Sequence, residues 1–344
     1  MTAAVIIPTL DEIAHIDALL TQLLAEAEAI VGEILVADGG SRDGTREIVS
    51  RHAQRSSRVR RIDNPDRIQA AGVNRAVAAA DRRFDTIVRV DAHALYPARY
   101  VSSLLAVLDA TGADSVVVRL TTRGHGGFQR AVAIAQNSRV GTGGSAHRMG
   151  NASAWVDHGH HAAFRRTVFE RVDGYDTSFE ANEDAELDAR IRALGGRIWL
   201  DATIPVIYFP RDTIRGLARQ YYRYGSGRAR TSNKHGERLR LRQMLPPAIV
   251  LTIGLSLIGA PFAPVLLLIP LLYAISLFWA SALLAIQSRT MLGFLAAPAL
   301  ATMHIAWGVG FLRRTVLEKW QRGNHKACVG IPVVSGVQRH EGAE

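Results

Sequence analysis

Two hydrophobic patterns divide the chain near Leu245. Before this residue, short apolar runs rich in β-branched residues alternate with longer helix-like segments. After it, from Pro247 to Leu312, apolar residues are almost uninterrupted, and Arg289 is the only charged residue. The first pattern predicts βαβ units with a largely parallel sheet covered by helices, whereas the second is typical of membrane helices. We therefore expect an α/β domain followed by a membrane region.

The α/β part contains four strand-like runs, each followed by a helix-like segment. In chain order the runs are "AAVIIPTL", "EILVAD", "VRRID" and "TIVRVD", and the predicted helices span 12–30, 43–55, 68–80 and 97–110. In sheets of this kind, ligands bind beyond the carboxyl ends of the strands. Polar residues collect at these ends, so we expect the functional site there.

The apolar block contains two segments, 264–286 and 291–312, that reach the ~20 residues of a bilayer-spanning helix. Segment 247–260 is shorter and could lie at the membrane interface or re-enter the same side. Basic residues flank the block and favour the cytoplasm; they are Arg238, Arg240 and Arg242 before it and Arg313, Arg314, Lys319 and Arg322 after it. Two cytoplasmic flanks require an even number of crossings. We therefore predict two spans plus a dipping first segment, although length alone would give three.

These patterns predict four regions and place the α/β domain in the cytoplasm. The regions are the α/β domain at 1–210, a basic interfacial helix segment at 211–245, a transmembrane region of two or three helical segments at 246–314 and a cytoplasmic tail at 315–344. Met1 leads within a few residues into a strand, without the basic and apolar segments of a signal peptide. A single cysteine, Cys328, excludes an intramolecular disulfide and fits a reducing compartment.

The net charge of +10 favours lipid over nucleic acid as a partner. The basic residues concentrate at 211–242 and 313–326, on either side of the apolar block. Anionic lipid headgroups attract basic segments beside membrane helices. We therefore predict membrane lipids as partners and no nucleic acid.

The first two strands end in "PTLDE" and "DGGSRDGT", which carry carboxylates and glycines. Neither matches the G-x-G-x-x-G of dinucleotide-binding domains, and the second lacks the alternating ligands and terminal Glu of a calcium-binding loop. Asp38 can accept hydrogen bonds from a base or a ribose, while Gly39 and Gly40 allow close backbone approach. The alternative is a glycine-rich turn in which Ser41 or Asp43 caps the next helix.

The fourth strand ends in Asp91 and His93, which are two residues apart and lie on the same side of an extended chain. A carboxylate and an imidazole are both potential metal ligands. This strand end is therefore a candidate cation site. The alternative is that His93 only hydrogen-bonds a phosphate or packs in the turn.

A later helix carries a carboxylate at the start of an apolar face. Asp184, Leu187, Ile191 and Leu194 follow the spacing of one helix face, and a Gly-Gly pair after Leu194 ends the helix. Asp184 is either a partner of the helix dipole or a site residue that points into a cleft. Glu183 faces about 100° away and is a poorer candidate base.

Four motifs in this order resemble those of family 2 glycosyltransferases with the GT-A fold: "IIPTLDE", "VADGGSRDGT", "VRVDAH" and "ANEDAELDARIRALGG", covering about residues 4–200. The resemblance implies a GT-A-type, Rossmann-like mixed sheet that is mainly parallel and flanked by helices, with C-terminal transmembrane helices. It implies that the first two motifs bind the nucleotide through Pro8, Leu10, Glu12, Asp38, Gly39 and Ser41.

The third motif in such enzymes binds a divalent cation, Mn²⁺ or Mg²⁺, and the donor diphosphate. The resemblance assigns this role to Asp91 and His93, where His93 replaces the usual second carboxylate and shifts the preference towards Mn²⁺. The fourth motif carries the general base, here Asp184, which would deprotonate an acceptor hydroxyl and invert the anomer. Glu183 beside it would contact the acceptor sugar.

Three further segments match parts of such enzymes. In "DRIQAAGVNRA", Arg67 and Asn74 would approach the nucleotide or serve packing. In "RQYYRYGSGRAR", three residues follow the Q-x-x-R-aromatic spacing of an interfacial helix near the diphosphate and the acceptor, with Tyr in place of Trp: Gln220, Arg223 and Tyr224. A plain basic interfacial helix is the alternative. Residues 150–166 lead into the acceptor site in relatives, and their histidines lack the spacing of a zinc site.

The resemblance implies an inverting, metal-dependent glycosyltransferase. The "DAH" variant is similar to membrane-bound glucosyltransferases of succinoglycan-type exopolysaccharide biosynthesis. That similarity implies UDP-glucose as donor, a polyprenyl-diphosphate-linked saccharide as acceptor, and a multi-pass protein of the bacterial inner membrane with its catalytic domain in the cytoplasm. One alternative is transfer to a bare polyprenyl phosphate, and another is a non-catalytic nucleotide-sugar-binding membrane subunit. Processive polymer synthesis is disfavoured because the apolar block is too short for a translocation channel.

Overall fold

The computed structural model describes residues 1–150 and 152–329. Its strands form one sheet and are β1 (Ala3–Thr9), β2 (Val31–Asp38), β3 (Val59–Asp63), β4 (Thr86–Arg89), β5 (Ser115–Thr122), β6 (Ala154–Val156), β7 (His160–Arg165) and β8 (Ile198–Tyr208). Their spatial order is β3-β2-β1-β4-β7-β5-β8-β6. The four strands predicted from sequence are β1 to β4, so their prediction is confirmed.

The half of the sheet formed by β1 to β4 is parallel. Nearly every residue of β1 and β2 is buried, because helices cover both faces. Strands buried on both faces have continuous apolar sequences, and "AAVIIPT" and "EILVAD" have this character. The parallel order brings the carboxyl ends of these strands to one edge.

The other half of the sheet is mixed. β7 runs antiparallel between β4 and β5, and β6 pairs antiparallel with β8, while β5 and β8 are parallel. The result is a mixed, mainly parallel sheet flanked by helices, which confirms the predicted fold class.

The helices of this part are α1 (Ile16–Leu24), α2 (Thr45–Arg55), α3 (Gln69–Ala79), α4 (Tyr100–Thr111), α5 (Gly127–Gln136), α6 (Arg139–Thr142), α7 (Ala146–Met149), α8 (Arg166–Arg171) and α9 (Glu183–Ala193). Helices α1, α2 and α4 form one apolar core with the sheet. Helices α3, α8 and α9 form a second core on the opposite face. The burial of both faces fixes the strand ends that carry the motifs.

Two predicted helical details differ from the structure. The helix predicted over 12–30 is only α1, because the carbonyl of Glu12 accepts hydrogen bonds from His15 and Ile16 and holds the preceding residues in a turn. Leu194, predicted on the inward face of α9, is 49% exposed because the helix ends at Ala193. Leu187 and Ile191 are fully buried, as predicted.

Four longer helices follow: α10 (Ile214–His235), α11 (Leu241–Gly259), α12 (Leu268–Ser288) and α13 (Ala296–Val329). By length and composition, three segments of the described residues are able to cross a membrane: Leu241–Gly259, Pro264–Ser288 and Met291–Trp320. The first was expected to be short, but α11 begins at Leu241 and has 19 residues. Its length therefore no longer separates it from the other two, and the even number of crossings stays a prediction from charge. The predicted tail at 315–344 belongs to α13 as far as Val329, and its remainder lies outside the described residues.

Helix α10 packs directly on α13 through glycines. A Cβ on Gly225 of α10 would collide with the carbonyl of Trp307, and a Cβ on Gly310 of α13 would collide with the carbonyl of Tyr222. A third apolar core joins α5, α10, α12 and α13. The predicted basic interfacial segment is thus attached both to the α/β domain and to the apolar helices.

Candidate active site

The loops that follow β1 and β2 are locked together at the carboxyl edge of the sheet. Gly39 N donates a hydrogen bond to the carbonyl of Thr9 at 2.8 Å, and Asp11 N donates to Ser41 Oγ at 2.9 Å. The exposed side chain of Leu10 lies over Gly39. Pairing of Thr9 with Asp38 in the sheet aligns the two motifs.

Asp38 is buried and shapes its own loop. Its carboxylate accepts hydrogen bonds from the backbone of Gly40 at 3.1 Å and of Ser41 at 3.2 Å, and Arg46 Nε lies 3.4 Å away. The guanidinium of Arg67 lies beside Gly40. The loop therefore has the internal bonding of a glycine-rich turn, and Arg67 adds a positive charge at its rim.

Asp91 lies after β4 with its side chain 15% exposed. Its Oδ1 accepts hydrogen bonds from Gln69 Nε2 at 2.8 Å and from Arg89 Nε at 3.3 Å, and His160 Nε2 lies 3.7 Å from Oδ2. Burial alone would raise the pKa of Asp91, but the charges of Arg89, His160 and His93 outweigh burial and lower this pKa. Asp91 is therefore an anion, as a carboxyl group that binds a metal must be.

His93 connects the first and third motifs. Its Nδ1 lies 2.8 Å from Glu12 Oε1, which raises the pKa of His93 and leaves Nε2 for another partner. Metal-binding histidines commonly have their second nitrogen held by a carboxylate in this way. The side chains of Asp91 and His93 therefore fit a cation.

Within the residues that the structure describes, no group of three or more His, Cys, Asp or Glu side chains is arranged to hold a metal ion. An ion at Asp91 and His93 would thus take its remaining ligands from water and a substrate diphosphate, as Mg²⁺ commonly does.

One cavity of about 890 Å³ connects the third and fourth motifs with the apolar helices. Asp91, His93 and Asp184 line it, and so do Leu245 of α11 and Trp307 of α13. The nucleotide candidates that do not line it are Pro8, Leu10, Glu12, Asp38, Gly39, Ser41, Arg67 and Asn74.

Arg89, at the end of β4, links three carboxylates and was missed by the sequence analysis. Its Nη1 donates a 2.6 Å hydrogen bond to Asp184 Oδ1, its Nε contacts Asp91, and its Nη2 lies 3.6 Å from Glu183 Oε1. Nη1 also donates to Tyr175 Oη at 3.0 Å. An arginine within a strand of buried apolar residues requires anionic partners, and this was the available signal.

Asp184 lies in the first turn of α9 with its side chain 20% exposed. Burial would raise its pKa, but Arg89 and His161 outweigh burial and hold the pKa of Asp184 well below its usual value. For Glu183, burial and the neighbouring charge of Asp184 raise the pKa. Both carboxylates line the cavity, and their pKa values are moved in opposite directions.

His161 and Asp188 form a fully buried pair behind Asp184, which sequence reasoning also missed. His161 Nε2 lies 2.8 Å from Asp188 Oδ1, and its Nδ1 lies 3.1 Å from Asp184 Oδ1 and 2.5 Å from Tyr175 Oη. Burial would lower the pKa of His161, but the two carboxylates raise it to about 10. Two sequence features could have indicated this pair. One is a histidine in the apolar strand β7, and the other is an aspartate one helical turn after Asp184.

Helix α10 brings its three predicted residues, Gln220, Arg223 and Tyr224, to the cavity. Gln220 Nε2 donates to Tyr208 Oη at 2.8 Å, and its buried Oε1 has no hydrogen-bond partner among the described residues. The carbonyl of Tyr224 accepts a 2.7 Å hydrogen bond from Asn182 Nδ2. Because Asn182 precedes Glu183 and Asp184, this bond fixes α10 against the start of α9.

Asn74 does not reach the cavity. Its Nδ2 donates to the carbonyl of Tyr175 at 2.8 Å, and its Oδ1 accepts from Tyr175 N at 2.9 Å. These contacts favour the packing alternative for Asn74. They also hold Tyr175 in place beneath Arg89.

Comparisons with known proteins identify the family of this chain. A family model described as glycosyl transferase family 2 matches residues 4–173. The succinoglycan biosynthesis protein ExoA from Rhizobium meliloti (strain 1021) is 43% identical over 319 residues, which cover 91% of this chain and 94% of that protein. Mannosyltransferase PcManGT from Pyrobaculum calidifontis, solved with GDP-Man and Mn²⁺, has a TM-score of 0.56 at 22% identity and covers 88% of this chain and 86% of its own. The resemblance carried by the four motifs is therefore confirmed, and this chain, a glycosyltransferase, belongs to the family 2 glycosyltransferases.

Proposed function

We propose that this glycosyltransferase moves a sugar from a nucleotide donor to a lipid-linked saccharide at the membrane surface. The proposed pathway is exopolysaccharide biosynthesis of the succinoglycan type, supported by the extent of the likeness to the succinoglycan biosynthesis protein. UDP-glucose is the proposed donor and a polyprenyl-diphosphate-linked saccharide the proposed acceptor. The proposed location is the bacterial inner membrane, with several crossings and the α/β domain in the cytoplasm.

The continuity of the cavity carries this proposal. Asp91 and Asp184 line it together with apolar residues of α11 and α13 such as Ile249 and Met303. A water-soluble acceptor would need no such connection. An acceptor with an apolar chain gains free energy from burial against these side chains, while its sugar extends towards the carboxylates.

At the donor end, Asp91 and His93 are the proposed ligands of a divalent cation. Such an ion, when bound, neutralises the charge that develops on the departing nucleoside diphosphate. The imidazole favours Mn²⁺ over Mg²⁺. Asp38, Gly39 and Ser41 with their loop neighbours are the proposed contacts of the nucleoside.

At the acceptor end, Asp184 is the proposed general base. Its depressed pKa keeps the carboxylate ionised near neutral pH, and Arg89 orients it. Asp184 would accept the proton of an acceptor hydroxyl as that oxygen attacks the anomeric carbon opposite the leaving diphosphate. The anomer is inverted, so a nucleotide α-sugar gives a β-linked product.

The test is transfer by the full-length protein in lipid nanodiscs, with UDP-glucose and a lipid-diphosphate oligosaccharide. We expect the mass of the lipid product to rise by one hexose, and excess EDTA to abolish the gain. Full transfer in EDTA would contradict the metal role. A product that forms on bare polyprenyl phosphate and releases its sugar in mild acid would instead establish the lipid-phosphate alternative. Nucleotide binding without transfer to any acceptor would indicate the non-catalytic subunit.

A further inference from the structure

Several cationic and imidazole side chains line the cavity near the apolar helices. We call this group the cationic wall, and it consists of His147 and Arg148 of α7, His158 before β7, Arg228 of α10 and Arg242 of α11. The rings of His147 and His158 meet edge to face with centroids 5.8 Å apart. Four different segments of the chain thus contribute to one surface.

The arginines of the cationic wall lack adequate counter-charges within the described part of the chain. Arg228 has a side chain only 12% exposed, and its one carboxylate within 4 Å is Glu237, 3.9 Å away. Glu237 is already in closer contact with Arg192. Arg242 has no carboxylate this near in that part of the chain and only approaches the carbonyl of Gly143 at 3.5 Å.

Arg148 is also held without a carboxylate among the described residues. Its Nη1 donates to Thr122 Oγ1 at 2.7 Å, and its guanidinium lies 5.4 Å from the ring centre of Tyr208. Partly buried positive charges without anions are unfavourable unless a ligand supplies the anion. The wall therefore has the composition of an anion-binding surface.

The imidazoles respond to this excess of positive charge. Burial and the charges of Arg228 and Arg242 lower the pKa of His158 to about 3, and burial lowers the pKa of His147 well below its usual value. Both rings are therefore neutral at neutral pH. The buried Nδ1 of His147 has no hydrogen-bond partner among the described residues.

We propose that Arg228, Arg242 and Arg148 bind the phosphate groups of an acceptor whose diphosphate is carried on an apolar isoprenoid chain. This inference rests on the proposed function and assigns the residues that recognise the acceptor. The same cavity is lined by Leu245, Pro246 and Ile249 of α11, against which the isoprenoid chain would lie, and by Asp184, where the sugar would react. A phosphate at the wall would thus share one cavity with an apolar surface and with the reacting groups.

The decisive measurement is binding of farnesyl diphosphate, farnesyl phosphate and farnesol to the full-length protein in detergent, by calorimetry. Saturating UDP and Mn²⁺ are present, so that the donor site is occupied. We expect farnesyl diphosphate to bind more tightly than farnesol, and Arg228→Gln and Arg242→Gln each to weaken diphosphate binding by about tenfold, as loss of a charge-assisted hydrogen bond does. Arg228→Lys should retain part of the affinity.

Arg215→Gln is the matched control, because Arg215 lies on the same helix but is exposed and outside the cavity. This variant should bind farnesyl diphosphate as the wild type does. UDP affinity should be unchanged in every variant, which verifies that each one is folded. Unchanged diphosphate affinity in Arg228→Gln and Arg242→Gln would overturn the proposal, and so would an equal loss in Arg215→Gln.

Two further experiments distinguish this proposal from phospholipid binding and from failure of the proposed function. If phosphatidylglycerol displaces farnesyl diphosphate at equal concentration, the wall binds phospholipid headgroups and the proposal is wrong. In the transfer assay, Arg228→Gln should raise the KM for the lipid acceptor by about tenfold while leaving the KM for UDP-glucose in place. Failure of the wild type to modify a lipid acceptor would reject the proposed function, whereas the binding series decides the role of the wall independently.

Discussion

Two clusters of buried charge line the same cavity, and they differ in how their charges are balanced. Around Asp184, each charge has an opposite charge in contact: Arg89 touches three carboxylates, and His161 lies between Asp184 and Asp188. In the cationic wall, Arg228 has one distant carboxylate, and Arg242 has none within 4 Å among the described residues.

This difference separates a preorganised centre from a receptive surface. A buried charge paired with good geometry holds its neighbours in one arrangement, while an unpaired one leaves a desolvation cost that a ligand of opposite charge can offset. The first cluster is thus suited to chemistry on a proton. The second is suited to binding an anion that arrives with the substrate.

The largest effect should come from removing the base within the paired cluster. We expect Asp184→Asn to lower the rate of transfer by ~10²–10⁴, because an amide cannot accept the proton. Initial rates from the mass of the lipid product measure this. Glu183→Gln is the matched control next to it, with an expected loss of about tenfold or less. Equal losses in both variants would remove the distinction between the two carboxylates, and full activity in Asp184→Asn would exclude it as the base.

The next largest effect, on stability, should come from removing Arg89, whose positive charge balances the carboxylates of this cluster. Arg89→Gln leaves three carboxylates without their shared partner, so we expect a loss of about 3 kcal/mol in the free energy of unfolding. That corresponds to roughly 6–12 °C in the unfolding midpoint, measured by tryptophan fluorescence. Arg83→Gln, which removes an exposed arginine paired with Asp81, should change the midpoint little. A similar midpoint in the two variants would mean that the pairing around Asp184 contributes nothing to stability.

A smaller effect should appear in the pH dependence of stability. His161 has a folded-state pKa of about 10, above its value of about 6.5 in an unfolded chain. Its contribution is therefore fully present below about pH 6.5 and is lost as the pH rises towards about 10. We expect the unfolding midpoint of the wild type to fall over this range more steeply than that of the double variant His161→Asn with Asp188→Asn. Parallel curves would show that this pair carries no such linkage.

The smallest effect should come from the unpaired cluster. Arg228→Gln removes a buried charge with one distant partner, so we expect the free energy of unfolding to stay the same or to increase by up to ~1 kcal/mol. The same thermal measurement applies, with Arg215→Gln as the control on α10. A loss as large as that of Arg89→Gln would show that the wall is balanced within the protein after all, and the contrast between the two clusters would fail.

The fold was largely predictable because its signals are local. Apolar runs such as "AAVIIPTL" specify buried parallel strands, and motif order indicated the mixed sheet. The start of α11 at Leu241 was not predictable from hydropathy, because its first turn includes Arg242 and lies outside the apolar block. The end of α9 before Leu194 likewise depends on where the glycines stop the helix.

Site residues that belong to a sequence motif were predictable, whereas site residues whose role depends on tertiary packing were not. Asp91, Asp184 and Gln220 were identified from their motifs and line one cavity. Arg89 and His161 were missed because the pairing of a buried charge depends on residues distant in sequence, here as far apart as Arg89 and Asp184. Arg228 was interpreted only as part of a basic segment near lipid, since sequence alone does not reveal that it lines a cavity.

The glycine contacts between α10 and α13 have a practical consequence for truncated forms of the enzyme. Gly225 and Gly310 let the two backbones touch, and α10 supplies Gln220 and Arg228 to the cavity. A shortened fragment ending before α11 would keep α10 but lack α13, the helix on which α10 packs. The cavity side chains on α10 would therefore lose their support. Sugar transfer should therefore depend on the apolar helices as well as on the α/β domain, and inhibitors that separate α10 from α13 should block transfer without resembling any substrate.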